Sequence, residues 1–210
     1  MKKNSIGSDI TNQSQDIFQQ RYLAHQTHAG GKRDELIQIM KERHSNRRFA
    51  DTEVSPENLE TVLDALRHAP SSCDRFGTRV KIETDRDRKT LLNGLLVGGT
   101  GWIYRAPIVV MLWGNPDAYK GGDNGDEVTY NLYLDGGVMA QQAMLVATSI
   151  GLHTAFCNPQ VRPDNRQFFN ERFQPQEWGK GIFAGAIAIG NPHPEPIEKT
   201  RRLIDTVVVE

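Results

Sequence analysis

This 210-residue sequence lacks long apolar runs and an excess of charge of either sign, and it has few cysteines. The two cysteines, Cys73 and Cys157, are too few for a disulfide framework or a zinc site, so we expect reduced thiols and no bound metal. No apolar run approaches the length of a membrane span, and residues 1–16 lack the apolar centre of a signal peptide. We therefore expect a cytoplasmic protein with no membrane partner.

The formal net charge of −1 gives no field that would attract a polyanion, so nucleic acid is not the expected partner. Two glycine-rich loops that commonly hold nucleotide phosphates, G-x-G-x-x-G and G-x-x-x-x-G-K-S/T, are also absent. Any nucleotide would therefore be bound through side-chain cations. With 38% hydrophobic and 24% charged residues, the composition is typical of a soluble globular protein.

The composition changes near residue 31. Residues 1–31 are rich in Gln, Ser, Asn and His and end in Gly30-Gly31, which predicts a polar N-terminal extension. Residues 32–210 carry the periodic apolar pattern of a folded domain. Helices and short strands are interspersed along this domain, which predicts an α+β layered fold.

The predicted helices begin at recognisable start signals. They run from Arg33 to about Arg43, from Pro56 with Ser55 as N-cap, after Asp85, from Asp135 to Ile150, and after Pro163. Tyr119–Tyr133 is predicted to be a loop. The predicted strands are 80–82, 107–113, 154–157, 182–189 and 206–209. The run 107–113 is apolar throughout, so we expect a central strand that is buried on both faces.

The segment Arg43-His44-Ser45-Asn46-Arg47-Arg48-Phe49 is a candidate anion site where a helix ends. Two arginines four residues apart, with a hydroxyl between them, can contact one phosphate dianion from two sides. The alternative is a solvated basic helix terminus that complements the helix dipole. The heptapeptide alone favours this alternative.

Three further segments could bind a ligand. Ala69-Pro70-Ser71-Ser72-Cys73-Asp74 could present amides and hydroxyls to a planar heterocycle, or could simply be a helix stop followed by a serine turn. Gly151–Pro159 could present strand amides, or could be an ordinary helix-to-strand connection. Lys199-Thr200-Arg201-Arg202 could close a phosphate site, or could be a solvated basic patch.

Six motifs in order resemble those of the FMN-dependent nitroreductase family, over about residues 33–210. Arg43–Phe49 is similar to the family's R-[RH]-S-x-[RK] motif, and Ala69-Pro70-Ser71-Ser72 to its A-P-S-S element. Asp135–Gln142 resembles the start of the family's central helix, D-x-G-x-x-x-Q-N. The other three are Ile150-Gly151-Leu152, Ala188–Pro192 and Lys199–Arg202, which are similar to G-L-G-T, A-x-G-x-P and K-x-R-R.

The resemblance implies a three-layer α+β fold in which helices flank a central, mostly antiparallel sheet. It also implies a homodimer that exchanges its C-terminal strand and binds FMN at the dimer interface. NADH or NADPH would reduce the flavin, and a small electron-poor acceptor of the nitroaromatic or quinone type would reoxidise it. No catalytic side chain is expected, because the cofactor carries the chemistry.

The family's binding residues can be carried over by position. The phosphate and ribityl chain would be held by Arg43, Ser45, Lys199 and Arg201, with help from His44. Arg47 would lie near the pyrimidine edge of the ring. Pro70, Ser71 and Ser72, followed by Cys73 and Asp74, would reach the ring from the other subunit. The central ring would lie beside a segment of four residues, Ala155, Phe156, Cys157 and Asn158.

The sequence departs from the family after A-P-S-S. Where the family continues x-N-x-Q-P-W, this chain has Asp74, Phe76, Gly77 and Thr78 at the four specified positions. Asp74 would repel the ring's O2 side or pair with Arg75. These changes leave the acceptor and the choice between NADH and NADPH open. The alternatives are dehydrogenation, dehalogenation or flavin fragmentation on the same fold, and an FMN-binding sensor without turnover that uses residues 1–31 as an interaction arm.

Overall fold

The computed structural model describes residues 31–119, 125–178 and 180–195. The chain divides into two compact units, Met1–Glu42 and Arg43–Glu210. In the first unit, residues 31–42 form helix α1, in agreement with the prediction, and Leu36, Ile37 and Met40 on this helix are exposed. The predicted boundary between the extension and the domain stays a prediction, and the predicted strand 206–209 lies outside the described residues.

The second unit is built on a four-stranded sheet with the order β1-β2-β4-β3. Its strands are β1 (Thr78–Glu83), β2 (Ile108–Gly114), β3 (His153–Cys157) and β4 (Ile182–Gly190). Every neighbouring pair is antiparallel. Strand β2 is buried at every position and is bonded on both sides, which confirms the prediction of a central apolar strand.

The helices of this unit are α2 (Pro56–Arg67), α3 (Arg86–Leu95), α4 (Gly125–Ser149) and α5 (Arg166–Phe173). Local chemistry fixes two of the starts, because the Ser55 hydroxyl accepts from the Asn58 amide and the Asp85 carboxylate accepts from the Arg88 amide. Gly151, just past α4, has a φ of 78°, as expected for a residue that ends a helix.

Helix α4 begins at Gly125, ten residues before the predicted start at Asp135, so the prediction of a loop over Tyr119–Tyr133 is wrong for its second half. Among residues 129–134 of these missed turns, only Leu132 is buried. Leu132 is fully buried, whereas Tyr130 and Leu134 are 70% and 63% exposed. A search for an apolar run therefore finds only the later part of the helix, where most of the buried residues lie.

The sheet separates two cores, and the fold is therefore a three-layer α+β sandwich, as predicted. One face of the sheet packs with α3 and α5 around an aromatic cluster made of Trp113, Phe169, Phe173 and Phe183. The other face packs against α2 and α4, with a core that includes Val62, Leu66, Val110, Leu112, Ala143 and Ile187.

Helix α4 approaches the sheet closely through a glycine. A Cβ atom added at Gly136 would lie 2.6 Å from the Cβ atom of Ala184 on β4, which is nearer than real side chains come. A Cβ atom added at the next residue, Gly137, would meet nothing within 4 Å. The distance between helix and sheet thus depends on the missing side chain at Gly136.

We expect Gly136→Ala to lower the free energy of unfolding by about 1–3 kcal/mol, because the added methyl group overpacks the contact with Ala184. Gly137→Ala is the matched control and should raise the same free energy by about 0.5–1 kcal/mol through the better helix propensity of alanine. Urea unfolding curves measure both values. Equal effects of the two substitutions would contradict the close contact.

Candidate cofactor-binding site

The first predicted motif lies along the edge of strand β3. Ser45 forms a parallel bridge with Thr154, and the Asn46 amide donates to the Thr154 carbonyl at 2.8 Å. Farther along, the Ala50 amide donates to the Asn191 carbonyl at 3.0 Å. The structure therefore brings the segment with Arg43, His44, Ser45 and Arg47 beside the strand with Ala155, Phe156 and Cys157.

Arg47 rests on an aromatic surface that the sequence did not reveal. Its guanidinium carbon lies 5.5 Å from the centroid of the Trp102 ring, a cation–π arrangement. Trp102 is 7% exposed, and its indole N–H donates to the Gly98 carbonyl at 2.8 Å. The sequence feature that could have indicated this loop is its glycine-rich run, Gly98-Gly99-Thr100-Gly101.

The loop that carries Trp102 is itself tied to the end of β3. The Val97 amide donates to the Gln160 carbonyl at 2.9 Å. A Cβ atom added at Gly98 would lie 3.0 Å from Oδ1 of Asn158 and 3.4 Å from Sγ of Cys157. Arg47, Trp102, Cys157 and Asn158 thus form one cluster at the edge of the sheet.

The four predicted strand residues differ in their accessibility. Ala155 and Cys157 are buried, Phe156 is half-buried, and Asn158 is exposed. Burial raises the pKa of the Cys157 thiol to about 12, and the opposing effect of the Arg47 charge is smaller. The thiol is therefore protonated at neutral pH, which favours the interpretation of Cys157 as an inert core residue.

The second predicted motif forms a tight turn after α2. Pro70, Cys73 and Asp74 are exposed, and Ser71 and Ser72 are half-buried. Three residues that are not glycine adopt positive φ, namely Cys73 (54°), Asp74 (56°) and Phe76 (49°). Such conformations are costly for L-residues. The Ser71 hydroxyl closes the turn by accepting from the Phe76 amide at 2.8 Å.

A buried carboxylate on α4 anchors this turn. Asp135 is 2% exposed and accepts from the amide of Ser72 at 2.8 Å, from the hydroxyl of Ser72 at 2.7 Å, and from the Tyr119 hydroxyl. Arg75 donates to the Ala118 carbonyl at 3.0 Å, and its guanidinium lies over the Tyr119 ring. Thus the second motif is held by α4, whereas the first motif is held by β3.

A cavity adjoins the turn after α2, and a second cavity adjoins the end of β3 at Asn158. Pro70, Ser71 and Phe76 border a largely apolar cavity of about 370 Å³ between α2 and β1. Asn158 lines an open cleft of about 560 Å³ together with Tyr133 and Arg166.

The predicted site residues Lys199 and Arg201 lie outside the described residues. In the part of the chain that the structure describes, no helix is long and apolar enough to cross a membrane.

The raised pKa of the buried Cys157 thiol leads to a prediction about how stability depends on pH. Since the folded pKa of Cys157 is raised from 9.0 to about 12, its contribution to stability is complete below pH 9 and is lost as the pH rises towards 12. We expect the free energy of unfolding to fall over this range less steeply in Cys157→Ala than in the wild type. Parallel curves for the two proteins would contradict the raised pKa.

The sequence is similar to a known protein family and to one of the known flavin reductases. The Nitroreductase family model matches residues 40–100, which include the first two motifs. The FMN reductase [NAD(P)H] of Bacillus subtilis (strain 168) is 28% identical over 180 residues, which is 80% of this chain and 70% of that protein.

Solved structures share the fold. A nitroreductase family protein from Streptococcus pneumoniae TIGR4 superposes with a TM-score of 0.66 at 19% identity, over 80% of this chain and 94% of that one. A nitroreductase from Desulfovibrio desulfuricans, solved in complex with FMN, gives 0.64 at 22% identity, over 80% and 92% of the two chains. The chain is thus similar in sequence to the nitroreductase family over residues 40–100, and it shares the fold of these solved structures.

Proposed function

We propose that this protein is an FMN-dependent oxidoreductase that passes hydride from NADH or NADPH to a small electron-poor acceptor of the nitroaromatic or quinone type. The observation that carries the proposal is the docking of the cationic segment Arg43–Arg47 along β3, where Ser45 and Asn46 pair with Thr154. The match of the Nitroreductase family model to residues 40–100 supports it, as does the similarity to the Bacillus subtilis FMN reductase [NAD(P)H].

The donor set fits a phosphorylated flavin. Arg43, Ser45 and Arg47 occupy alternate positions of the segment that bridges to β3 at Ser45. Two guanidinium groups and one hydroxyl are the groups that bind a phosphate dianion well. Because this chain has neither glycine-rich phosphate loop, side-chain cations of this kind must supply the binding.

Each group has a proposed role. Arg43 and Ser45, together with Lys199 and Arg201, bind the phosphate and the ribityl chain, and His44 assists them. Arg47, held on Trp102, places a permanent positive charge near the pyrimidine edge of the ring, where it stabilises negative charge. The strand residues 155–158 lie beside the central ring.

When bound, FMN supplies a ring that takes up hydride from a nicotinamide and passes on two electrons. Because burial raises the pKa of the Cys157 thiol to about 12, we assign this thiol no role in proton transfer.

We further propose a homodimer in which the turn Pro70–Asp74 of one chain lines the cofactor held by Arg43–Arg47 of the other. One support is that two different elements anchor the two parts of the site. Helix α4 anchors the turn, whereas strand β3 anchors the cationic segment. A second support is an apolar stripe on α4, where Tyr130, Leu134 and Val138 are spaced four residues apart and are all exposed. A second copy of the chain would cover this stripe.

The proposed C-terminal exchange has a suitable acceptor in strand β1. Segment 45–50 covers part of the β3 edge, whereas β1 lies at the opposite edge of the sheet with Val80 and Ile82 each 38% exposed. The backbone of an edge strand is a template for pairing with another strand. We propose that residues 206–209 of the partner chain pair there. The cytoplasmic location and the 32–210 domain limits stay predictions.

The function is tested by the absorbance spectrum of the purified protein after incubation with FMN. We expect bound flavin whose bands bleach under anaerobic NADH or NADPH and return when a nitroaromatic or quinone is added. The faster bleaching nucleotide identifies the donor. Failure to take up FMN would contradict the proposal, and bands that persist under both nucleotides would favour a binding protein without turnover.

Two neighbouring arginines provide a matched test of the site. We expect Arg47→Gln to weaken FMN binding about tenfold, since a charge-assisted contact is lost. Arg48→Gln removes the same charge one residue farther on, where Arg48 pairs with Glu195 at 3.4 Å, and should leave FMN affinity unchanged. Fluorescence titration of FMN measures both constants. Equal losses would show that only the overall charge matters.

A further inference from the structure

We propose that Asp135 is a positioning residue that holds the turn Ser71–Phe76 in the shape that the cofactor bound by the other chain requires. This inference rests on the proposed function and gives a role to Asp135, the first residue of the third motif, to which the resemblance assigned none. The geometry that carries it is the convergence of three donors on one buried carboxylate, two of them from Ser72.

The carboxylate is well suited to hold a turn. A buried charge is costly unless hydrogen bonds satisfy it, and Asp135 receives the Ser72 amide, the Ser72 hydroxyl and the Tyr119 hydroxyl. Because Ser72 donates through both its main chain and its side chain, its position and its rotamer are fixed together. The contacts span 63 residues of sequence, so they tie the turn to α4 and not to its own neighbours.

The turn needs such an anchor. Cys73, Asp74 and Phe76 all have positive φ, a conformation that persists only where the surroundings enforce it. Ser72 directly precedes the first of these residues, and Arg75 is fixed to the Ala118 carbonyl between the second and the third. Without the carboxylate, we expect the turn to relax towards ordinary backbone conformations.

Tyr119 extends the same anchor to a second loop. It ends the short 3₁₀ helix Pro116–Tyr119, is 6% exposed, and donates to Asp135 while lying near the Ser72 carbonyl, at 3.3 Å. Burial raises the pKa of its hydroxyl to about 12, with the neighbouring carboxylate acting in the same direction. The hydroxyl therefore remains a donor throughout the neutral range.

The test uses the full-length Asp135→Asn variant, in which one partner of these bonds loses its charge without a change of size. Glu83→Gln is the matched control, because Glu83 is also a buried carboxylate (5% exposed) but binds Arg88 at the far end of β1. Amide hydrogen exchange of residues 70–77 in the protein without flavin measures how firmly the turn is held. FMN titration and the visible spectrum of bound flavin measure how the turn affects cofactor binding.

For Asp135→Asn we expect faster exchange in residues 70–77, an FMN dissociation constant raised about tenfold, and a shifted flavin band. Glu83→Gln should change none of these three quantities, even when its loss of thermal stability equals that of Asp135→Asn. If Asp135→Asn does not fold, Tyr119→Phe, which removes only one of the three donors, should show the same changes at smaller size.

Faster exchange with wild-type FMN affinity and spectrum would overturn the proposal, because Asp135 would then be merely structural. The same changes in Glu83→Gln would also overturn it. If the wild type itself binds no FMN, the proposed function fails and the positioning role fails with it. That failure differs from the first outcome, in which the wild type and the variant bind FMN equally.

Discussion

Strand β2 must be covered on both faces, and the rest of the fold follows from this requirement. Its side chains alternate between two cores, with Val109, Met111 and Trp113 facing α3 and α5, and with Ile108, Val110 and Leu112 facing α2 and α4. Because β1 and β4 bond to its two sides, no edge of β2 is left to bind a ligand. The candidate ligand-binding groups accordingly lie at an outer edge of the sheet, beside β3, and on the turn that α4 holds.

The candidate site is assembled from two such places. The cationic segment after α1 lies along the edge of β3, where the Ser45–Thr154 bridge positions Arg47 over Trp102. The serine turn after α2 is fastened to α4 by Asp135. In each case a backbone interaction fixes the segment and a side chain then fixes its orientation. We propose that two chains bring these halves together around one FMN, which accounts for the exposed apolar stripe on α4.

The sequence was most informative where a local signal decides the structure. The apolar run 107–113 became β2, and the caps Ser55 and Asp85 start helices where they were expected. The start of α4 was missed because, among its residues 129–134, only Leu132 is buried. The contacts of Arg47 with Trp102 and of Asp135 with Ser72 join residues that are distant in sequence, and no periodicity encodes such pairs. The motif resemblance indicated which segments to consider as the candidate site, and the structure adds the contacts that hold those segments in place.

The sharing of one site by two chains is the central claim, and a mixed dimer tests it most directly. An Arg47→Glu chain and a Pro70→Glu chain should each bind little FMN alone. Random mixing of the two should restore about a quarter of the wild-type sites, because half of the dimers are mixed and each of those has one intact site. A chain with both substitutions, mixed with wild type, should give no intact site in the mixed dimers. If mixing the single variants restores no FMN binding, although mixed dimers form, each site belongs to one chain and the account is contradicted.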